Sequence, residues 1–313
     1  MGHDHSHGHS HDHSDANRTR LAWAFGITAT ILLAEIVGAI VTSSLALLVD
    51  AAHMLTDTLG LLLALTAANL IARKPTTKRT WGFRRAEVLS ATVQSALLLA
   101  VGIYAAIDAV RRLFTPEEIH PTGLLIFGVI GLLGNVLSMW IISSGRNNNL
   151  NMRAAFLEVV NDALGSVAVI VAAIVIASTG WMQADSVAAL VISALIVPRA
   201  LKLLSETTHI LLESTPRGLD LIAVREHLER QPGVIAVHDL HASQIASNLP
   251  VLTAHVVVEE STFSTGMAGE LLKDLQKCVA DHFTVSIEHS TFQIEPPTHQ
   301  STEHQHGCED KGH

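Results

Sequence analysis

Six long apolar runs, near residues 21–42, 47–72, 88–113, 122–144, 154–179 and 185–204, fill the first two-thirds of the chain. Each is close to the roughly 20 helical residues that cross a hydrocarbon core. Short polar segments separate them: Thr42-Ser43-Ser44, Pro75-Thr76-Thr77-Lys78, Pro116-Glu117-Glu118, Gly145-Arg146-Asn147, and Gly180-Trp181 to Asp185. This pattern predicts six transmembrane helices over 18–204, and the near absence of Lys and Arg inside the runs argues against a soluble bundle. After a polar connector at 205–216 the pattern changes. Residues 218–231 read as a helix ended by Gly233, and His238–Ala246 and Val251–Glu259 as strands joined at Asn248-Leu249-Pro250. A helix over 265–283 and a last strand over Val285–Glu295 complete an α-β-β-α-β order. The expected fold is thus membrane α-helical, with a small α+β domain over 217–296.

The basic residues set an orientation. Arg18 and Arg20 precede the first run; Arg73, Lys74, Lys78, Arg79, Arg84 and Arg85 lie between the second and third. Arg146 and Arg153 flank the segment between the fourth and fifth, and Arg199 with Lys202 closes the sixth. The other side has only Arg111 and Arg112, so both termini are expected in the cytoplasm of a cell that carries the protein in its inner or plasma membrane. Residues 1–15 hold no apolar h-region of a secretory signal.

Composition sharpens this picture. Apolar residues make up 49% and charged ones 16%, against about 25% charged in soluble domains. Mean hydropathy is +0.37. The net charge of −9 is uneven: 13 acids and 14 bases up to residue 204, then 16 acids and 6 bases. A nucleic-acid binder needs a basic face and is excluded. With only Cys278 and Cys308, so is a disulfide scaffold. Of 19 histidines, six fall in the first thirteen residues and four in the last fifteen. The tails 1–17 and 297–313 therefore read as metal-capturing segments, the first alternating His with Asp, Ser and Gly rather than running as a contiguous tag.

A charged group inside a span is costly and by default functional. The second run carries His53 and Asp57, the fifth Glu158 and Asp162, each pair four residues apart and so on one helix face. Two such helices facing each other supply one nitrogen and three oxygen donors, a set that Zn²⁺ takes tetrahedrally. A bound divalent cation also relieves the repulsion among the carboxylates. Counted from the cytoplasmic ends, the fifth-helix pair lies shallower, so level alignment requires tilt or protruding helices. Glu35 and Asp50 read as lining a water-filled entrance or carrying protons, or as helix-to-helix hydrogen bonds. Gly128, Gly131 and Gly134 read as close helix packing.

The segments Ser44-Leu-Ala-Leu-Leu-Val-Asp50-Ala-Ala-His53-Met-Leu-Thr-Asp57-Thr and Asn151-Met-Arg-Ala-Ala-Phe-Leu-Glu158-Val-Val-Asn-Asp162 resemble the span 2 and span 5 signatures of the cation diffusion facilitators, and His238-Asp-Leu-His241 matches later in the chain. The likeness covers roughly residues 18–297 and is nearest the cobalt, zinc and cadmium resistance branch, which shares Glu158 where many zinc-selective members have histidine. It implies efflux of Zn²⁺, with Co²⁺ and Cd²⁺ tolerated, usually in exchange for protons and from a homodimer embedded in the bilayer.

In the last third, His289, Thr291, Gln293 and Glu295 alternate onto one strand face, where His255 and His238 or His241 can meet them. On a regular strand His238 and His241 face opposite sides. Family matching favours His238, His255 and Glu295 as cytosolic ligands. Cys308, with His304 and His306, has the donors for a soft metal, Cys278 reads as core, and Glu213 as a partner for basic groups between the second and third spans. An intramembrane metalloenzyme would need a motif such as His-Glu-x-x-His, which the sequence lacks, so no enzyme is expected. The alternative is a membrane metal sensor or buffer without transport.

Overall fold

The computed structural model describes residues 10–143 and 150–300. Six long helices come first: α1 (Ser10–Thr42), α2 (Leu45–Ile71), α3 (Ala86–Phe114), α4 (Pro121–Ser143), α5 (Leu150–Thr179) and α6 (Gln183–Leu211). Five contain stretches long and apolar enough to span a membrane, and α1 adds the shorter apolar stretch Gly26–Thr42. Their surfaces are inverted relative to a soluble bundle. Leu62, Leu65, Ile103, Ile107, Leu133 and Trp140 point outward, while Glu35, Asp50, His53, Asn135, Asp162 and Asp185 are buried. Helices suit this environment because all their backbone polar groups are satisfied within the segment.

Helix α4 packs against both α1 and α5, and its glycines are why. A methyl at Gly134 would come within 2.5 Å of Ile31, and one at Gly131 within 3.0 Å of Glu35 Oε1 and Ser166 Oγ. At Gly128 the neighbours are Val169 and Ile170, at 3.0 Å. The close packing expected of these glycines is therefore present. Asp185, expected in a polar connection, is instead fully buried inside α6. Its carboxylate accepts hydrogen bonds from Ser44 Oγ (2.5 Å), Leu45 N (2.7 Å) and Ala46 N (3.4 Å). It thus caps the helix that carries His53 and Asp57, a role Asp fills well at a helix N-terminus. Two other expectations shift. Helix α5 begins a turn before its apolar run, which lengthens it at the end nearer Glu158. Helix α6 runs through Ser205–Thr208 to Leu211, because polarity there marks the end of the apolar run, while residues 199–215 contain no Gly or Pro to end the helix.

The C-terminal unit comprises α7 (Leu221–Glu229), β1 (Val234–Ala246), β2 (Leu249–Val258), α8 (Glu260–Ser264), α9 (Ala268–Asp281), β3 (His289–Glu295) and α10 (Pro297–Gln300). Asp220 caps α7 by accepting from Ile222 N and Ala223 N. The sheet runs β1-β2-β3, antiparallel between the first two strands and parallel between the last two. Helices α7 and α9 cover one face, where Val224, Leu228, Leu252, Val256, Leu275 and Val279 form the core. The helix expected over 265–283 is α9, two to three residues shorter at each end, and the short α8 before it was not expected; Gly266, at φ +73°, separates the two. The turn between the first two strands is Ser247-Asn248, with Leu249 and Pro250 already paired in β2. Glu213 pairs with Arg85 at 2.6 Å, as its acidity and the basic 73–85 segment led one to expect.

Replacing Asp185 with Ala leaves Ser44, Leu45 and Ala46 without their buried acceptor. The expected cost is about 1–3 kcal/mol, read as a lower midpoint of thermal unfolding in detergent; an unchanged midpoint would show that the cap does not hold α2.

Candidate metal centres

The i,i+4 spacing of His53 and Asp57 on α2, and of Glu158 and Asp162 on α5, turns all four side chains inward to one point. His53 Nε2 lies 3.5 Å from Asp57 Oδ2, 3.6 Å from Glu158 Oε1 and 3.8 Å from Asp162 Oδ1. Donor atoms of His53, Asp57 and Glu158 fall within 4.8 Å of one another. The edges of a tetrahedral Zn²⁺ site with ligands at about 2.0–2.2 Å measure about 3.3–3.6 Å, so small movements would close the set on an ion. The shallower position expected for the α5 pair does not keep the two pairs apart. Asp162 Oδ1 and His53 Nδ1 are buried without a hydrogen-bond partner, which marks a centre whose polar atoms are not satisfied by protein alone.

Arg199 on α6 completes this centre, and sequence reasoning missed it by using it only to mark where the sixth span ends. Its Nη1 donates to Glu158 Oε1 at 2.6 Å and its Nη2 to Glu158 Oε2 at 2.5 Å, a bidentate fork. The available signal was a lone Arg just after Pro198, inside a helix that continues for three more turns. Gln94 Nε2 reaches Asp57 Oδ1 at 3.4 Å. A cavity beside the cluster is lined by Asp50, His53, Asn161, Gly165, Ile192 and Arg199. Asp50 lies so close to α5 that a methyl at Gly165 would sit 2.9 Å from its Oδ1. Glu35 lies against Asp50, and Glu35 Oε2 and Asp50 Oδ2 are buried without hydrogen-bond partners. A polar interior therefore extends from the four-residue cluster to Glu35. Asn135 instead donates to Ser166 Oγ, and Asp108 pairs with Arg112, as packing and solvation residues do.

A second cluster lies on the open face of the C-terminal sheet. His238, His255 and Gln293 sit side by side across the three strands, with Glu295 one pleat further along β3. His238 Nε2 is 2.6 Å from Glu295 Oε1, His255 Nδ1 3.7 Å from Glu295 Oε2, and Gln293 donates to Glu295 Oε2 at 3.1 Å. Donor atoms of His238, His255 and Glu295 lie within 4.8 Å of one another. The five candidates of this unit do not form one centre. His241 is exposed and bonds Asp239 at 2.9 Å, and His289, six residues from Glu295, packs edge-on against Trp81 at 4.9 Å. The expectation that His238 and His241 face opposite sides also fails. Three steps on β1 match two on β2, so a bulge at Asp239 (φ +48°) returns His241 to the side of His238. His304, His306 and Cys308 lie outside the described residues.

Ionisable groups gathered in the interior of a membrane helix bundle mark a functional site by default. Residues 21–212 match the cation efflux transmembrane domain and residues 216–297 the cytoplasmic domain of cation efflux proteins, and the chain belongs to this family, the cation diffusion facilitators. It is 42% identical over 284 residues to the metal cation efflux system protein CzcD of Cupriavidus metallidurans, covering 90% of this chain and 88% of that protein. To the zinc transporter ZitB of Escherichia coli the identity is 40% over 297 residues, covering 94% and 93%. To the cadmium, cobalt and zinc/H(+)-K(+) antiporter of Bacillus subtilis it is 34% over 301 residues, covering 96% and 93%. The chain is thus a multi-pass membrane protein of a cation efflux transporter family, with relatives named for zinc, cobalt and cadmium.

Glu295 is 2% exposed and receives two donors, so Glu295→Gln sets an amide against them. We expect about 1–3 kcal/mol of destabilisation in thermal unfolding of the metal-free full chain, whereas parental stability would show that this carboxylate does not organise the cluster.

Proposed function

We propose that the protein exports divalent cations from the cytoplasm, Zn²⁺ foremost with Co²⁺ and Cd²⁺ accepted, in exchange for protons. His53, Asp57, Glu158 and Asp162 are the transport ligands. The observation that carries this reading is the convergence of His53 Nε2 on three carboxylates from two helices, at 3.5–3.8 Å. One imidazole and three carboxylates make a hard, anionic set without sulfur. It suits Zn²⁺ and Co²⁺, and admits Cd²⁺ less selectively than a thiolate site would.

Proton exchange follows from the same donors. Imidazole and carboxylates must be proton-free to hold metal, so exposure to a more acidic exterior favours release and return to the cytoplasm favours reloading. Arg199 serves as the counter-cation of this cycle. Three ionised carboxylates and one guanidinium leave a formal charge of −2, which one divalent ion or two protons neutralise. The guanidinium holds Glu158 when metal is gone and yields it when metal enters. Asp50 and Glu35 extend the polar route away from the ligands. Alternation of helix pairs about a fixed midplane site is the general transporter solution.

The protein works in this reading as a homodimer in the plasma membrane with both termini cytoplasmic. The basic residues at the proposed cytoplasmic ends support the orientation, and the family matched by residues 216–297 has a name that denotes a dimer. His238, His255 and Glu295 form a regulatory metal site there, in an acidic third of the chain whose charge a cation would reduce. The histidine-rich tails capture metal before transport.

Reconstitution in vesicles loaded with a zinc indicator tests the reading. Asp57→Ala and Asp162→Ala are expected to reduce Zn²⁺ flux on the order of 100-fold or more, since even supporting groups of metal sites cost 10–100-fold; unchanged flux in either would refute the assignment. Arg199→Gln frees Glu158 and is expected to tighten equilibrium Zn²⁺ binding by about tenfold, measured by calorimetry, while weaker binding would contradict the counter-cation role.

A further inference from the structure

The helix-covered side of the C-terminal sheet holds a cluster that the transport reading does not use. His227, Cys278 and His282 each offer a donor atom, all within 4.8 Å of one another. Local structure brings them together. Cys278 and His282 are four residues apart at the end of α9, where His282 is the cap residue and its amide bonds Cys278 O at 3.0 Å. His227 comes from the last turn of α7. His227 Nε2 and His282 Nδ1 are 3.1 Å apart, close to the N···N edge of about 3.3 Å in a tetrahedral site with metal–nitrogen bonds of about 2.0–2.1 Å.

We propose that His227, Cys278 and His282 form a further metal site of the cytoplasmic domain, taking Zn²⁺ or Cd²⁺ through two imidazoles and a thiolate, with the fourth position left to water. The gradient of exposure suits capture from solution: His282 is exposed, His227 half-buried, and Cys278 only 2% exposed at the floor. Phe283 flanks His227 at 5.7 Å and shields one side. A hydrogen bond between two imidazoles explains their contact without metal; it does not explain a thiol converging on the same point. Sulfur makes this set softer than the nitrogen and oxygen donor sets around His53 and Glu295. On binding, the metal–sulfur bond replaces S–H and the proton passes to solvent. The bound ion would tie the C-terminal ends of α7 and α9 together over the sheet. Nothing in this site depends on the transport assignment.

Cobalt substitution distinguishes it from the other centres, because only a thiolate ligand gives an intense near-ultraviolet sulfur-to-cobalt charge-transfer band. The full chain in detergent would carry Cys308→Ser, leaving Cys278 as its only thiol. Titration with Co²⁺ is expected to raise this band, and Zn²⁺ to abolish it by displacement. Adding Cys278→Ser should remove the band, and His282→Ala, at an exposed position that tolerates change, should weaken the Co²⁺ affinity read from it at least about tenfold. Co²⁺ binding by dialysis with no such band in the folded Cys308→Ser protein would overturn the proposal. So would a band whose titration is unmoved by His227→Ala and His282→Ala together.

Discussion

Carboxylates in a hydrocarbon layer must be compensated, and three of them crowd around one imidazole between α2 and α5. An Asp at the centre of a transmembrane helix costs about 2.5–3.5 kcal/mol to insert, so three such groups represent about 8–10 kcal/mol against membrane insertion. The rest of the membrane domain can be read as the means of carrying that cost. Arg199 places a positive charge on Glu158 from a third helix. Glycines of α4 let α1 and α5 close around the interior, so that Glu35, Ser166 and Asn135 form a polar lining. Asp185 anchors the start of α2, which fixes the helix bearing His53 and Asp57. In the proposed reading a cation bound there relieves the same repulsion, which links the stability of the bundle to its cargo.

The cytoplasmic domain uses a different solution with similar side chains. Its sheet buries apolar residues under α7 and α9 and leaves the other face polar, so histidines and Glu295 gather in water-accessible registers rather than in hydrocarbon. Glu295 is nonetheless buried, held by His238 and Gln293. An acidic third of the chain with such a face has charge to spare for a cation, and hydrogen bonds that keep the face ordered without one.

Much of this was legible in the sequence. Six apolar runs became six helices, and two i,i+4 pairs sufficed to name the four residues that converge, because helical spacing fixes which side chains share a face. What escaped had physical causes. Arg199 and Asp185 sit near the ends of an apolar run, where a charge normally means that the membrane has ended, and only the packed structure shows Asp185 buried and the half-exposed Arg199 reaching Glu158. The bulge at Asp239 adds one residue to β1, and no periodicity reveals where strand pairing slips; this misplaced His241 relative to His238. The separation of His289 from His255 depends on register, which the alternation of β3 left open. Cys278 read as core and is core; that His227 and His282 stand beside it depends on how α7 meets α9.

The central claim is that the ion rests between α2 and α5 inside the membrane domain. A zinc-anomalous difference map of the zinc-loaded protein tests it most directly. The account predicts a peak bounded by His53, Asp57, Glu158 and Asp162, with the Arg199 guanidinium withdrawn from Glu158. Zinc found only in the cytoplasmic domain, with the fork between Arg199 and Glu158 intact, would contradict it.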